Sequence, residues 1–243
     1  MTSSYLSNHP HIIYIGCAKG GQHMYKKLIL LLIITCGLFL LFPPLPKNYS
    51  LTDVFRITEE PVAITHGTYG SALTVNISFG DDEVVNWIKE LKKPYPTLFV
   101  DMDWAGRFPE TIQIIKDKNI PTALLGQDGS FYENDAKLLV NQLNEFENIF
   151  GEKPLWFRTK DEVFSHFLHE LLWESEVNAI GSSYVWTGGD IPPEVKGEII
   201  SVPHHQKQRV NLAEIQKLFD SREFQSIENV IFGVQGKTKK IPN

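Results

Sequence analysis

Hydrophobic and polar positions along residues 71–243 alternate between two patterns, short apolar runs and stretches with apolar residues three and four apart. Leu73, Val75, Ile77 and Phe79 make residues 72–80 apolar and β-branched, which predicts a strand. Val84, Trp87, Ile88 and Leu91 then share one helical face, which predicts a helix ending at Lys93. Asp81 and Asp82 supply its N-cap and first-turn charge. The same sequence of patterns repeats downstream. Strands are predicted over 96–100, 120–125, 155–158, 179–180, 184–186 and 197–202, with a short one at 61–66 and a closing one at 230–234. Helices are predicted from Pro109, over 136–150 up to Gly151, over 161–174, and from Asn211 to about Phe219. Strand–helix alternation means a parallel sheet with crossover helices. Seven or so units would close a barrel, and fewer would leave an open sheet.

The N-terminal pattern is of a different kind. Leu28 to Phe42 is an apolar run broken only by Thr35, Cys36 and Gly37, preceded by Lys26 and Lys27 and stopped by Pro43 and Pro44. Extended to residues 25–45, it reaches the roughly 20 residues that span a bilayer core. The leading expectation is an uncleaved signal-anchor over residues 24–47, with the body outside the cell membrane because the lysines precede the run. A cleaved signal peptide is the alternative, and a lipobox-like Ile33–Cys36 is the weakest reading because the apolar run continues past the cysteine. Residues 1–23 are polar and aperiodic. Lys19-Gly20-Gly21 before Met24 is codable as a purine-rich ribosome-binding sequence, so translation is expected to start at Met24 in a bacterial host. Residues 1–23 are then a leader read into frame, or else a cytoplasmic tail. Residues 48–70 form a connector, and the folded body is expected over 71–243.

Charge narrows the partners. The net charge of −6 becomes −10 for residues 51–243, because the first fifty residues hold four lysines and no acid. Such a body repels phosphate backbones and anionic headgroups, which disfavours nucleic acid and wall teichoic polymers as partners. Both cysteines, Cys17 and Cys36, lie in the N-terminal segment, so the body has no disulfide, thiolate nucleophile or Cys-based metal site.

Several stretches resemble the polysaccharide deacetylase (NodB homology) family from about Ala72 to His204. Ala72-Leu-Thr-Val-Asn-Ile-Ser is similar to the family's A-L-T-F-D-D-G, Pro96-Thr-Leu-Phe-Val100 to A-T-F-F-V, and Phe108-Pro-Glu110 to H-P-E. Phe157-Arg158 is similar to the F-R of F-R-x-P, and Gly197-Glu-Ile-Ile-Ser-Val202 to the strand that carries a final histidine. The resemblance implies a deformed (β/α) barrel, preceded here by a single transmembrane helix. It also implies a metal-dependent hydrolase of acetylated glycans, with an aspartate base and a metal held by a second aspartate and the histidines of H-x-x-x-H. Aligned without gaps, those positions carry Asn76, Ile77, Leu125 and Gly129. A neutral amide cannot act as the base, and catalytic zinc needs about three protein ligands. The expectation is therefore a catalytically inactive homologue without a cofactor, which binds cell-wall glycan or an envelope protein.

Arg158 survives from the family pattern, and His204 or His205 stands near the final histidine, whose aligned position is Pro203. Arg158, His204 and Asp103 are the candidate catalytic residues, and Trp104, Trp186 and Arg158 the candidate glycan contacts, since aromatic faces stack on sugar rings. Core packing is the alternative for both tryptophans. A rebuilt site for zinc or another divalent ion is the second expectation, with Asp101, Asp103, Asp128 and His204 at strand ends where barrel sites assemble. His166 and His169 read as a solvated helix face.

Overall fold

The computed structural model describes residues 26–34, 58, 60–133 and 135–233. Contacts divide the chain into residues 1–49 and 50–243. In the first unit, residues 26–34 are helical with exposed side chains. Among the described residues no helix is long and apolar enough to cross a membrane. Most of the predicted 24–47 anchor, and all of 1–23, lies outside the described residues.

The second unit is a sheet of nine strands with helices. Its elements run β1 (Ser71–Ile77), α1 (Asp82–Glu90), β2 (Thr97–Asp101), α2 (Met102–Arg107), α3 (Pro109–Lys118), β3 (Thr122–Leu125) and α4 (Ala136–Phe150). They continue β4 (Trp156–Arg158), α5 (His166–Glu174), β5 (Asn178–Ala179), β6 (Tyr184–Val185), β7 (Glu198–His205), β8 (Gln208–Arg209), α6 (Leu212–Asp220), β9 (Phe224–Gln225) and α7 (Ile227–Phe232). The main strand order is β5-β4-β3-β2-β1-β7-β6, with every neighbouring pair parallel. β5 and β6 lie at opposite ends of that order but only residues 180–183 separate them. So short a link reaches roughly 17 Å at most. The two edges are therefore drawn round towards each other, and the sheet is a curled half-barrel.

Alternation along the strands builds two apolar layers. Leu73, Val75 and Ile77 of β1 join Val100, Ile88 and Ile112 in the core beneath the helices. Ala72 joins Phe99, Ala123, Leu125, Trp156 and Ile199 in the inner cluster. Thr74 and Asn76 share the inner face with Ala72, and both are buried.

Most predicted elements form, but the helix expected over 161–174 begins only at His166, where Ser165 caps it, and three larger differences stand beside that. The expected strand at 61–66 is reduced to isolated bridges, Ile64 to Ile180 and His66 to Glu198. A helical turn, α2, follows β2 without a loop because the Asp101 side chain accepts from Trp104 N and caps it. The expected closing strand at 230–234 is not formed over its described part, which belongs to α7. Ser226 caps that helix through Asn229 N, and Gly233 ends it in the left-handed region. Two of its residues, Ile227 and Val230, enter the inner cluster.

Candidate functional site at the barrel mouth

Inner-face positions become polar along β1, in the order Ala72, Thr74, Asn76, Ser78. Opposite them stands Arg158 of β4, which is 0% exposed. Its Nη1 donates to Thr74 Oγ1 (2.7 Å), Asn76 Oδ1 (3.1 Å) and Ser201 Oγ (3.2 Å). Its Nε and Nη2 donate to the carbonyls of Ile180 (3.2 Å) and Gly181 (2.8 Å). The guanidinium lies 4.2 Å over the Phe99 ring, and Glu162 is 3.7 Å from Nε. Burial pulls its pKa down to about 10 against the pull of Glu162. Arg158 thus ties β4, β5, β1 and β7 together inside the barrel.

Nearer the mouth a second cluster forms where the strands end. Lys160 Nζ lies 2.9 Å from Asp101 Oδ2 and donates to Gln127 Oε1 at 2.8 Å. Gln127 Nε2 donates to the same Asp101 oxygen at 3.3 Å. Beside it, Ser78 Oγ and His205 Nδ1 are 2.8 Å apart, while the buried His205 Nε2 has no hydrogen-bond partner among the described residues. Burial, Lys160 and His204 push the His205 pKa down to about 4, with Asp101 opposing them. The imidazole is therefore neutral at physiological pH.

His204 faces the other way, as its neighbouring strand position requires. It lines a groove of about 760 Å³ between α1 and α6 with Glu83, Trp87, Asn211 and Gln216. Glu83 Oε1 stands 3.6 Å from its Nε2, and among the described residues neither ring nitrogen makes a well-formed hydrogen bond. Burial lowers its pKa, against the raising effects of Glu83 and the Val210 carbonyl.

The residues do not fit the metal centre that the deacetylase resemblance implies. Asn76 is committed, receiving from Arg158 and donating to Ser201 Oγ at 3.1 Å. Ile77 is packed beneath the helices and Leu125 in the inner cluster. A side chain at Gly129 has no room, since a Cβ there would lie 2.1 Å from Val163 O. The alternative set of Asp101, Asp103, Asp128 and His204 is not brought together. Asp101 is ion-paired with Lys160, Asp103 and Asp128 are exposed on α2 and in the loop after β3, and His204 faces α1. No group of three or more His, Cys, Asp or Glu side chains converges among the described residues.

Both tryptophans proposed as sugar platforms are core residues. Trp104 is 0% and Trp186 2% exposed. Their Nε1 groups are spent on the carbonyls of Gly80 (2.9 Å) and Asp190 (3.1 Å). Neither they nor the buried Arg158 present a surface to a glycan. The residues that sequence reasoning missed at the mouth are Ser78, Gln127 and Lys160. Continuing the inner-face alternation two residues past Asn76 and Arg158 would have found Ser78 and Lys160.

The sequence matches no family model and no curated protein. The fold, however, matches solved structures. A family 4 carbohydrate esterase from Bacillus anthracis superposes with a TM-score of 0.56 at 17% identity, over 76% of this chain and 93% of that one. The chain has the family 4 carbohydrate esterase fold. The chitin deacetylase from Colletotrichum lindemuthianum matches this deacetylase fold with a TM-score of 0.54 at 15% identity, over 72% of this chain and 93% of the fungal one. A third relative, the Bacillus anthracis protein BA3943, is described as a pseudoenzyme of that family. It matches with a TM-score of 0.53 at 15% identity, over 68% of this chain and 67% of that one.

Proposed function

We propose that this protein is a deacetylase-fold glycan-binding protein that has lost metal-dependent hydrolysis and is held at the outer face of a cell membrane by residues 24–47. The observation that carries the reading is the Lys160 ammonium between Asp101 and Gln127. A fixed monovalent cation satisfies the carboxylate at the mouth, and its charge opposes a divalent ion beside it. The polar rim of Ser78, Gln127 and Lys160 suits the hydroxyl and amide groups of an acetylated glycan. The solved structures sharing the fold include a chitin deacetylase and a peptidoglycan N-acetylglucosamine deacetylase. The apolar run at 28–42 supports the anchor.

The test uses the full chain in detergent, dialysed after exposure to zinc, then titrated calorimetrically with N-acetylated and with fully deacetylated chitotetraose. Binding of the acetylated oligomer without retained zinc is expected. Near-stoichiometric zinc together with chelator-sensitive acetate release would overturn the reading.

A further inference from the structure

Ser78 sits at a junction whose geometry is wasted on a merely structural hydroxyl. It is the first residue after β1 and stands four residues before α1, in the run Asn76-Ile-Ser-Phe-Gly80. A serine on a sharp strand-to-helix turn, followed two residues later by glycine, is how hydrolases of another fold expose a nucleophile. Here the turn is rigid. Gly80 has φ +108°, and a Cβ there would meet Val84 Cγ2 at 2.3 Å and His204 Nε2 at 3.1 Å. Its carbonyl is pinned by Trp104 Nε1 at 2.9 Å. Across the mouth, His205 Nδ1 is 2.8 Å from Ser78 Oγ, within the reach expected of a nucleophile and its base. The backbone N–H groups of Phe79 and Gly80 donate to no described residue. The residue directly after such a serine supplies one oxyanion donor in those hydrolases, and Phe79 N–H stands in that place here. Burial and the Lys160 charge keep the His205 imidazole unprotonated and so free to accept the serine proton, while they weaken it as a base.

We propose that Ser78 is an acyl-transfer nucleophile with His205 as its base, acting on O-acetyl esters of the glycan bound at the mouth. The glycan part of this inference rests on the reading above. In the reaction the Ser78 Oγ–H proton passes to His205 Nδ1 as Oγ bonds to the acetyl carbon. The carbonyl π pair moves onto its oxygen. Collapse of that tetrahedral species breaks the bond to the glycan oxygen, which takes the proton from His205 and leaves as a free hydroxyl. Water then attacks the acetyl-serine, giving one proton to His205. The Oγ–acyl bond breaks as His205 returns that proton to Ser78 Oγ, and acetic acid departs, losing its remaining acidic proton to solvent as acetate. Esters are the fitting class because an alkoxide leaves more readily than an amide nitrogen, and no metal is required to polarise the carbonyl.

The experiment is labelling of the full chain in detergent with a fluorophosphonate probe, which reports a nucleophilic serine without needing the natural substrate. One adduct is expected, mapped to Ser78 by tandem mass spectrometry. Ser78→Ala should abolish it, and His205→Gln should slow it by on the order of a hundredfold. Ser130→Ala, at an exposed serine, should leave it unchanged. Circular dichroism and a cooperative thermal transition establish that each variant is folded. No adduct at Ser78 in the folded wild-type chain would overturn the proposal, as would labelling indifferent to His205→Gln. The two readings fail separately. Labelling without binding of acetylated chitotetraose would remove the glycan reading and leave the nucleophile, whereas binding without labelling would do the reverse.

Discussion

Arg158 Nη1 donates to Thr74 Oγ1 at 2.7 Å across the inside of the barrel. Thr74 passes the polarity on, its hydroxyl donating to the Ile200 carbonyl at 2.8 Å. Arg158 therefore serves as a buried cross-tie: three hydrogen bonds join β4 to β1 and β7, and two more hold the carbonyls of Ile180 and Gly181 just after β5. Arg158→Met would leave three side-chain acceptors and two carbonyls short of a donor. A loss of about 3–5 kcal/mol is expected, read from urea denaturation. Arg158→Lys should recover little of it, because an ammonium cannot reproduce the planar fork.

Lys160→Met removes the cation from Asp101, whose side chain is only 4% exposed. Stability should fall by about 2–4 kcal/mol. A double variant with Asp101→Asn should regain part of that loss, because the uncompensated charge is then gone. A double-mutant cycle by urea denaturation measures the coupling.

Restoring the family's residues should not restore its metal. In the chain carrying Asn76→Asp, Ile77→Asp, Leu125→His and Gly129→His, the new carboxylate at 77 enters the apolar layer beneath the helices. The histidine at 129 collides with the Val163 carbonyl. Atomic absorption should find no stoichiometric zinc, and the thermal transition should be lost or far below wild type. A mutant of BA3943 is described as having restored activity. The contrast predicted here comes from packing at 77 and 129.

Acid should unfold the protein partly through His205. Its folded pKa of about 4 lies below the ordinary 6.5. A depressed pKa contributes stability that is fully present above pH 6.5 and is lost as pH falls towards 4. The urea midpoint of the wild type should drop across that window. His205→Gln should flatten the decline without abolishing it, because burial also pushes His204 and His169 down.

Trp104→Phe keeps an aromatic ring in the core but deletes the donor to Gly80 O. It should cost about 1–3 kcal/mol in urea denaturation, since it leaves a buried carbonyl unsatisfied. It should also slow fluorophosphonate labelling at Ser78, because the turn that presents the serine loses its pin.

Much of the architecture was legible because it depends on local pattern. Helix α4 covers the predicted 136–150 with Gly151 closing it in the left-handed region, and Asn211 caps α6 through Ala213 N. Those signals act within one turn, so a sequence displays them. The end of the chain misled for the complementary reason. Val230 and Ile231 are β-branched and read as strand, but caps at Ser226 and Gly233 and the space within the inner cluster select a helix.

The sequence by itself determined the alternation of strands and helices, because it follows from residue type and order. Tertiary structure alone decided which face each residue met. Trp104 and Trp186, at strand ends in the sequence, are buried in the core, Trp104 with its Nε1 on the distant Gly80 carbonyl. Asp101, Lys160 and Gln127 are brought together only when three separate strands converge at the mouth. Ser78 and His205 lie 127 positions apart. Their contact exists because β1 and β7 are parallel neighbours whose register sets Ile77 beside His204, which leaves the next inner-facing residues touching. Register is fixed by burying one whole face of each strand, and no local pattern records it.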